Sequence, residues 1–105
     1  ALTNYEIDIH SPLREIACHE QKIDSYDIPY RCLVPEKING LLVAGRTLSA
    51  SHVALSSARV MPTCFALGQA AGIAAALAVK TGCPAADIAI DTLHQQMKEQ
   101  GVTFF

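Results

Sequence analysis

From Lys37 to Ala86 the chain carries no Asp or Glu, while Lys37, Arg46, Arg59 and Lys80 lie within it. An acid-free stretch with sparse cations reads either as a surface shaped for an anion or as a buried segment poor in charge. Arg59 stands just before Met61-Pro62-Thr63-Cys64, which opens a long apolar run. If that run is a helix, the amides of Thr63 and Cys64 have no intrahelical partner and sit at the positive end of the helix dipole. Arg59 beside such a terminus makes a workable site for an anion or a carbonyl oxygen. An ordinary strand-helix unit with no ligand uses the same pattern. Cys64 reads either as a nucleophile or as a small buried hydrophobe. Cys18, Cys32, Cys64 and Cys83 form neither a CxxC pair nor a Cys/His cluster at zinc spacing. Free thiols in a reducing, cytoplasmic setting are expected, and no metal site.

These residues depend on the elements around them. Leu41 to Ala44 is a continuous apolar run closed by Gly45, the pattern of a short strand buried on both faces. Arg46 to Ser57, rich in Ser, Thr and Ala, is expected to be a loop. Val60 to Val79 has no charge and is followed by Lys80, Gly82 and Pro84, so a helix is expected from about Pro62 to Lys80. Pro62 suits a first turn, whose amides lack partners in any case. A second, amphipathic helix runs from about Thr92 to Gln100, capped by Asp91 and stopped by Gly101. Upstream, Tyr5 to His10 alternates with period two, as a half-buried strand does. Residues 13–24 read as a loop or short excursion. Pro29 confines Tyr26 to Val34 to an edge strand or splits it into two short strands. Pro35 to Gly40 forms a turn.

The 105 residues allow one domain, and 50% hydrophobic against 17% charged content predicts a packed core. A formal charge of -2, a pI near 6.0 and only 6% aromatic residues argue against a nucleic-acid binder. That charge is unevenly spread, with seven acids against three cations in residues 1–36. Val60 to Val79 has the length of a membrane span, but Pro62, Thr63, Gln69 and its Ala/Gly content favour a central buried helix and no span. With Ala1 first and no signal-type segment, the chain reads as a mature soluble protein or as a piece cut from one.

The residues from Tyr26 to Pro35, from Leu41 through Gly45-Arg46-Thr47 to His52, and from Arg59-Val60-Met61-Pro62-Thr63-Cys64 to Gly72 resemble, in order, the C-terminal end of the FAD-dependent oxidoreductases. These flavoproteins are distantly related to fumarate reductase and succinate dehydrogenase. Tyr5 to Pro12 resembles the preceding strand of their substrate domain. The resemblance implies a two-domain parent whose Rossmann-type half binds the FAD pyrophosphate through a glycine-rich turn. No GxGxxG occurs here.

The chain is therefore expected to be the C-terminal portion of a longer flavoprotein, with residues 1–35 closing a substrate-type domain and residues 36–105 ending the FAD-binding domain. Its fold class is an α+β fragment of short strands, a long buried helix and a C-terminal helix, from a Rossmann-like α/β parent. The resemblance assigns cofactor binding to Ala44, Gly45, Arg46, Met61, Pro62, Thr63 and Cys64. Arg46 stands where related flavoproteins often carry an acid. It suggests His52 and Arg59 as catalytic residues handling a substrate carboxylate, with His10 and Arg31 on the substrate-binding side. His10 also reads as a surface histidine on the polar face of a strand, and Arg31 as a partner for a neighbouring acid such as Asp27.

The expected cofactor is FAD in the parent, not bound to this portion alone, which is expected to be inactive. The partners are a small-molecule substrate and the N-terminal half of the same chain. Ala66, Ala70, Gly72, Ile73, Ala74, Ala76 and Leu77 are expected to be covered by the parent's sheet, so this portion alone is expected to form a homo-oligomer. A second reading is a non-catalytic α+β interaction module that oligomerises and binds no flavin.

Overall fold

A computed structural model of the chain describes residues 2–10 and 18–103, apart from the side chains of residues 10 and 18–20. Four short strands come first: β1 (Leu2–Thr3), β2 (Ile7–His10), β3 (Cys18–Gln21) and β4 (Tyr26–Asp27). Three helices follow: α1 (His52–Ala58), α2 (Met61–Thr81) and α3 (Ile90–Glu99). Tight 3-10 turns lie at Tyr30–Leu33, Gly45–Thr47 and Ala85–Asp87. The result is a small α+β fold.

The strands pair as two antiparallel ribbons. β2 runs against β3 with Ile7 opposite Gln21 and His10 opposite Cys18. β1 runs against β4 with Leu2 opposite Asp27 and Thr3 opposite Tyr26. Two-stranded ribbons are marginal alone, and these are held by helices, β2 lying on α1 and β1 on α2.

α2 follows from its residues. Pro62 occupies the first turn, Lys80 the last, and Gly82 ends the helix in the left-handed region at φ 68°. Leu67, Ala70, Ile73, Ala74 and Leu77 are buried, at the three- and four-residue spacing of one helical face. Leu93 and Met97 of α3, four residues apart, join the same core, as do Ile28, Leu33, Leu48, Ala58 and Ile88. Each large side chain buried there contributes about 1.5–3 kcal/mol.

Ala70, Ile73, Ala74 and Leu77 thus find their cover within this chain, contrary to the expectation that a missing sheet covers them. Gly72 and Ala76 of the expected set are exposed, but the uncovered face extends away from the rest of that set. Met61, Phe65, Gly68, Gly72, Ala76 and Val79 form an exposed apolar stripe along α2, with Phe65 74% and Val79 85% exposed. By length and composition α2 is also long and apolar enough to cross a membrane, with a mean hydropathy of 1.5.

Several local expectations are corrected. Leu41 to Ala44 is not a strand: Ala44 is extended, but among the described residues the segment makes one backbone bond, from Val43 N–H to the Leu33 carbonyl at 2.9 Å. A strand needs a neighbour along its length, and Leu41 is 46% exposed rather than buried. Arg46 to Ser57 does not wander, because Ser51 caps α1 by accepting from the Ala54 amide at 3.2 Å. Of the Tyr26 to Val34 segment only β4 is a strand; after Pro29 the chain turns as a 3-10 helix. Within residues 13–24, β3 replaces part of the expected loop, and residues 13–17 lie outside the described residues. Ala89, not Asp91, is the N-cap of α3, with Asp91 in the first turn.

Candidate functional site

The turn from α1 into α2 is built on Arg59. Its amide donates to the Leu55 carbonyl at 3.1 Å, ending α1. Its Nε donates to the Ser56 carbonyl at 3.3 Å. Its Nη2 reaches the β2 strand, donating to the Asp8 carboxylate Oδ2 at 3.1 Å and to the Asp8 carbonyl at 3.3 Å. The Arg59 carbonyl in turn accepts from Arg46 Nε at 3.2 Å and from the Cys64 thiol at 3.4 Å. One residue therefore joins β2, the Gly45–Thr47 turn, α1 and α2. The Arg59 side chain is 40% exposed and that of Asp8 14%, so the pair's charge attraction is partly screened, worth about 1 kcal/mol.

Gly45 brings the second segment to this point. It takes φ 68° between extended Ala44 and the 3-10 turn, a conformation that costs a side-chain-bearing residue about 1–2 kcal/mol. A Cβ on Gly45 would lie 3.8 Å from Cys64 Cβ, so the turn rests against the first turn of α2. The Thr47 hydroxyl donates to the Ala44 carbonyl at 2.8 Å, and the Ser49 amide to the Cys32 carbonyl at 2.9 Å. Those bonds fix the turn from both sides.

At the start of α2, Met61 and Pro62 are exposed and the first turn has no acid. The Cys64 amide is not available to a ligand, because it donates to the Val60 carbonyl at 3.0 Å. The expected donors Thr63 and Cys64 are therefore corrected to Met61 and Thr63, since Pro62 has no N–H. The Thr63 side chain is also turned away from solvent: it is 4% exposed and its hydroxyl donates to Thr3 Oγ1 at 2.9 Å. An exposed, acid-free helix start with Arg46 beside it fits an anionic or carbonyl oxygen.

The structure thus brings together Ala44, Gly45, Arg46, Arg59, Met61, Pro62, Thr63 and Cys64. His52 is the exposed first residue of α1, one helix away from that junction. Arg31 lies elsewhere, on a broad cleft of about 1430 Å³ that Ser49, Ser51, Leu93 and Met97 also line and that none of those junction residues reaches. The backbone of His10 ends β2, and its side chain lies outside the described residues. Among the described residues, no group of His, Cys, Asp or Glu could hold a metal ion. Cys32, Cys64 and Cys83 are free thiols.

Sequence reasoning missed three polar ties between the strands and the helices. Besides Asp8 to Arg59, the Tyr26 hydroxyl donates to Ser57 Oγ at 2.8 Å, and Ser57 Oγ donates to the Tyr5 carbonyl. Thr3 to Thr63 is the third. Asp8 did carry a signal, since it lies on the polar face of an alternating segment, but nothing in that pattern names a partner 51 residues away.

Compared with known protein families, residues 1–97 match the one described as FAD dependent oxidoreductase. No curated protein and no solved structure matches the chain.

Proposed function

The chain belongs to the FAD-dependent oxidoreductase family, and on that premise we propose that it is the C-terminal portion of a longer flavoenzyme. Residues 1–35 close the substrate-type domain and residues 36–105 end the FAD-binding domain. A distant relation to fumarate reductase is part of the same reading. The observation that carries it is the contact between the Gly45–Arg46 turn and the exposed, acid-free start of α2.

Hydride transfer to or from a small-molecule substrate is the chemistry that bound FAD supplies. The protein's share is to bind and orient it. Ala44, Gly45 and Arg46 offer a backbone of close approach and a fixed cation, and Met61 to Cys64 offer the helix start. The Met61 and Thr63 amides, with the positive end of α2, stabilise negative charge placed before them. Arg59 and His52 are the residues assigned to handling the substrate in this reading; His10 and Arg31 are assigned to substrate binding in the complete parent, with Arg31 on a separate cleft in this chain. The exposed stripe of α2 is the surface that the N-terminal half of the parent covers, which supplies the pyrophosphate-binding turn absent from these 105 residues. The free thiols suit a cytoplasmic setting.

Expression of the complete reading frame tests this reading. A yellow protein that keeps flavin absorbance through gel filtration is expected, while the 105-residue chain alone is colourless. A colourless product of the complete frame, still self-associating, overturns the reading in favour of a non-catalytic interaction module.

A further inference from the structure

We propose that Asp8 is a positioning residue for the start of α2, acting through Arg59. Asp8 sits in β2, far from the helix in sequence, and is mostly buried where it meets the guanidinium. It presents two acceptors to one nitrogen: its own carbonyl at 3.3 Å and its carboxylate at 3.1 Å. A guanidinium gripped in this way by a charged acceptor holds one orientation better than a neutral contact would. The Arg59 side chain also bonds back to Ser56, so fixing the guanidinium fixes the peptide that follows it.

That peptide is the one that matters at the junction. Its carbonyl receives both Arg46 and the Cys64 thiol, adding a polar tie where the Gly45 turn already rests on Cys64. Arg46 comes from the 3-10 turn and Cys64 from the first turn of α2. Where the Arg59 carbonyl points therefore bears on their relative placement, and Asp8 acts on it from a strand outside both segments. The consequence for cofactor binding rests on the flavin reading above; the positioning itself does not.

Alkylation of individual cysteines, followed by mass spectrometry on the product of the complete reading frame, tests the positioning. In Asp8→Ala the Cys64 labelling rate is expected to rise about ten-fold while Cys32 and Cys83 keep theirs, as local rather than global opening requires. Asp8→Asn, which keeps an oxygen acceptor but loses the charge, is expected to restore only part of the protection. A general loss of packing would raise all three cysteines together and would overturn the proposal, as would an unchanged Cys64 rate. FAD titration of the same variants separates the two readings. Faster Cys64 labelling with weaker FAD binding supports both; faster labelling in a protein whose wild type binds no FAD supports the positioning and removes the flavin reading.

Discussion

Ser57 is 1% exposed, and its hydroxyl stands between the Tyr26 phenol and the Tyr5 carbonyl. Removing it leaves the Tyr26 donor and the Tyr5 carbonyl without this partner at a part-buried site, which costs about 1 kcal/mol. Ser57→Ala, which removes two bonds, is therefore expected to lower the denaturation midpoint more than Tyr26→Phe, which removes one at about 1 kcal/mol. Equal, negligible shifts in urea melts of both would mean that the strands do not depend on this tie. Tyr30 gives a pH-dependent counterpart. Its hydroxyl donates to the Ala85 carbonyl at 2.7 Å, and burial, with a smaller contribution from Cys83, holds its pKa above 10.0. The neutral phenol is the form that fits, so its contribution is complete below pH 10.0 and is lost as pH rises through the raised folded value. The wild-type melting temperature should drop in that alkaline window, and the drop should be smaller in Tyr30→Phe.

At the scale of elements, Gly82 isolates a single conformational term. It ends α2 at φ 68° with nothing within 4 Å of where a Cβ would be, so Gly82→Ala meets no clash. Only the left-handed backbone is penalised, by about 1–2 kcal/mol, and Gly82→Asn should recover part of that. A thermal melt in which Gly82→Ala matches the wild type would show that the helix end frays without cost. The punctuation that makes this helix end testable is also what made α2 legible: Pro62, Lys80, Gly82 and Pro84 are local signals, read without knowing any neighbour. Leu41 to Ala44 was misread for the opposite reason. An apolar run of that length marks a strand only if another strand lies beside it, and here, among the described residues, the backbone neighbour is the carbonyl of Leu33. α1 was missed because its cap, Ser51, sits among other Ser and Thr residues that give no contrast. Of the candidate site, the Gly45–Arg46 turn and the helix start were legible as motifs, but which amides remain for a ligand depended on Val60, and Arg59's partner depended on a strand far away in sequence.

The whole molecule is more open than its length requires. Its radius of gyration is 15.4 Å and its extents are 54 × 31 × 16 Å, against about 13 Å expected for a closed domain of about 100 residues. Such a slab leaves large surfaces on the outside, and α2 contributes the stripe from Met61 to Val79. Phe65 and Met61, 74% and 66% exposed, stand at one end of it, with Gly68, Gly72 and Ala76 forming a shallow track beyond them. Small residues at this spacing let another surface approach the helix backbone closely. In water an apolar stripe of this kind is covered when a partner is available, and for the 105-residue chain alone the available partner is a second copy. Sedimentation velocity should therefore show association that grows with concentration. Phe65→Glu puts a charge in the stripe while keeping a good helix former at an exposed position, so it should return the chain to an 11.2 kDa monomer with its helix content unchanged. A wild-type chain that stays monomeric at high concentration would remove the contact altogether, and a Phe65→Glu chain that associates as strongly as the wild type would place it on some other face.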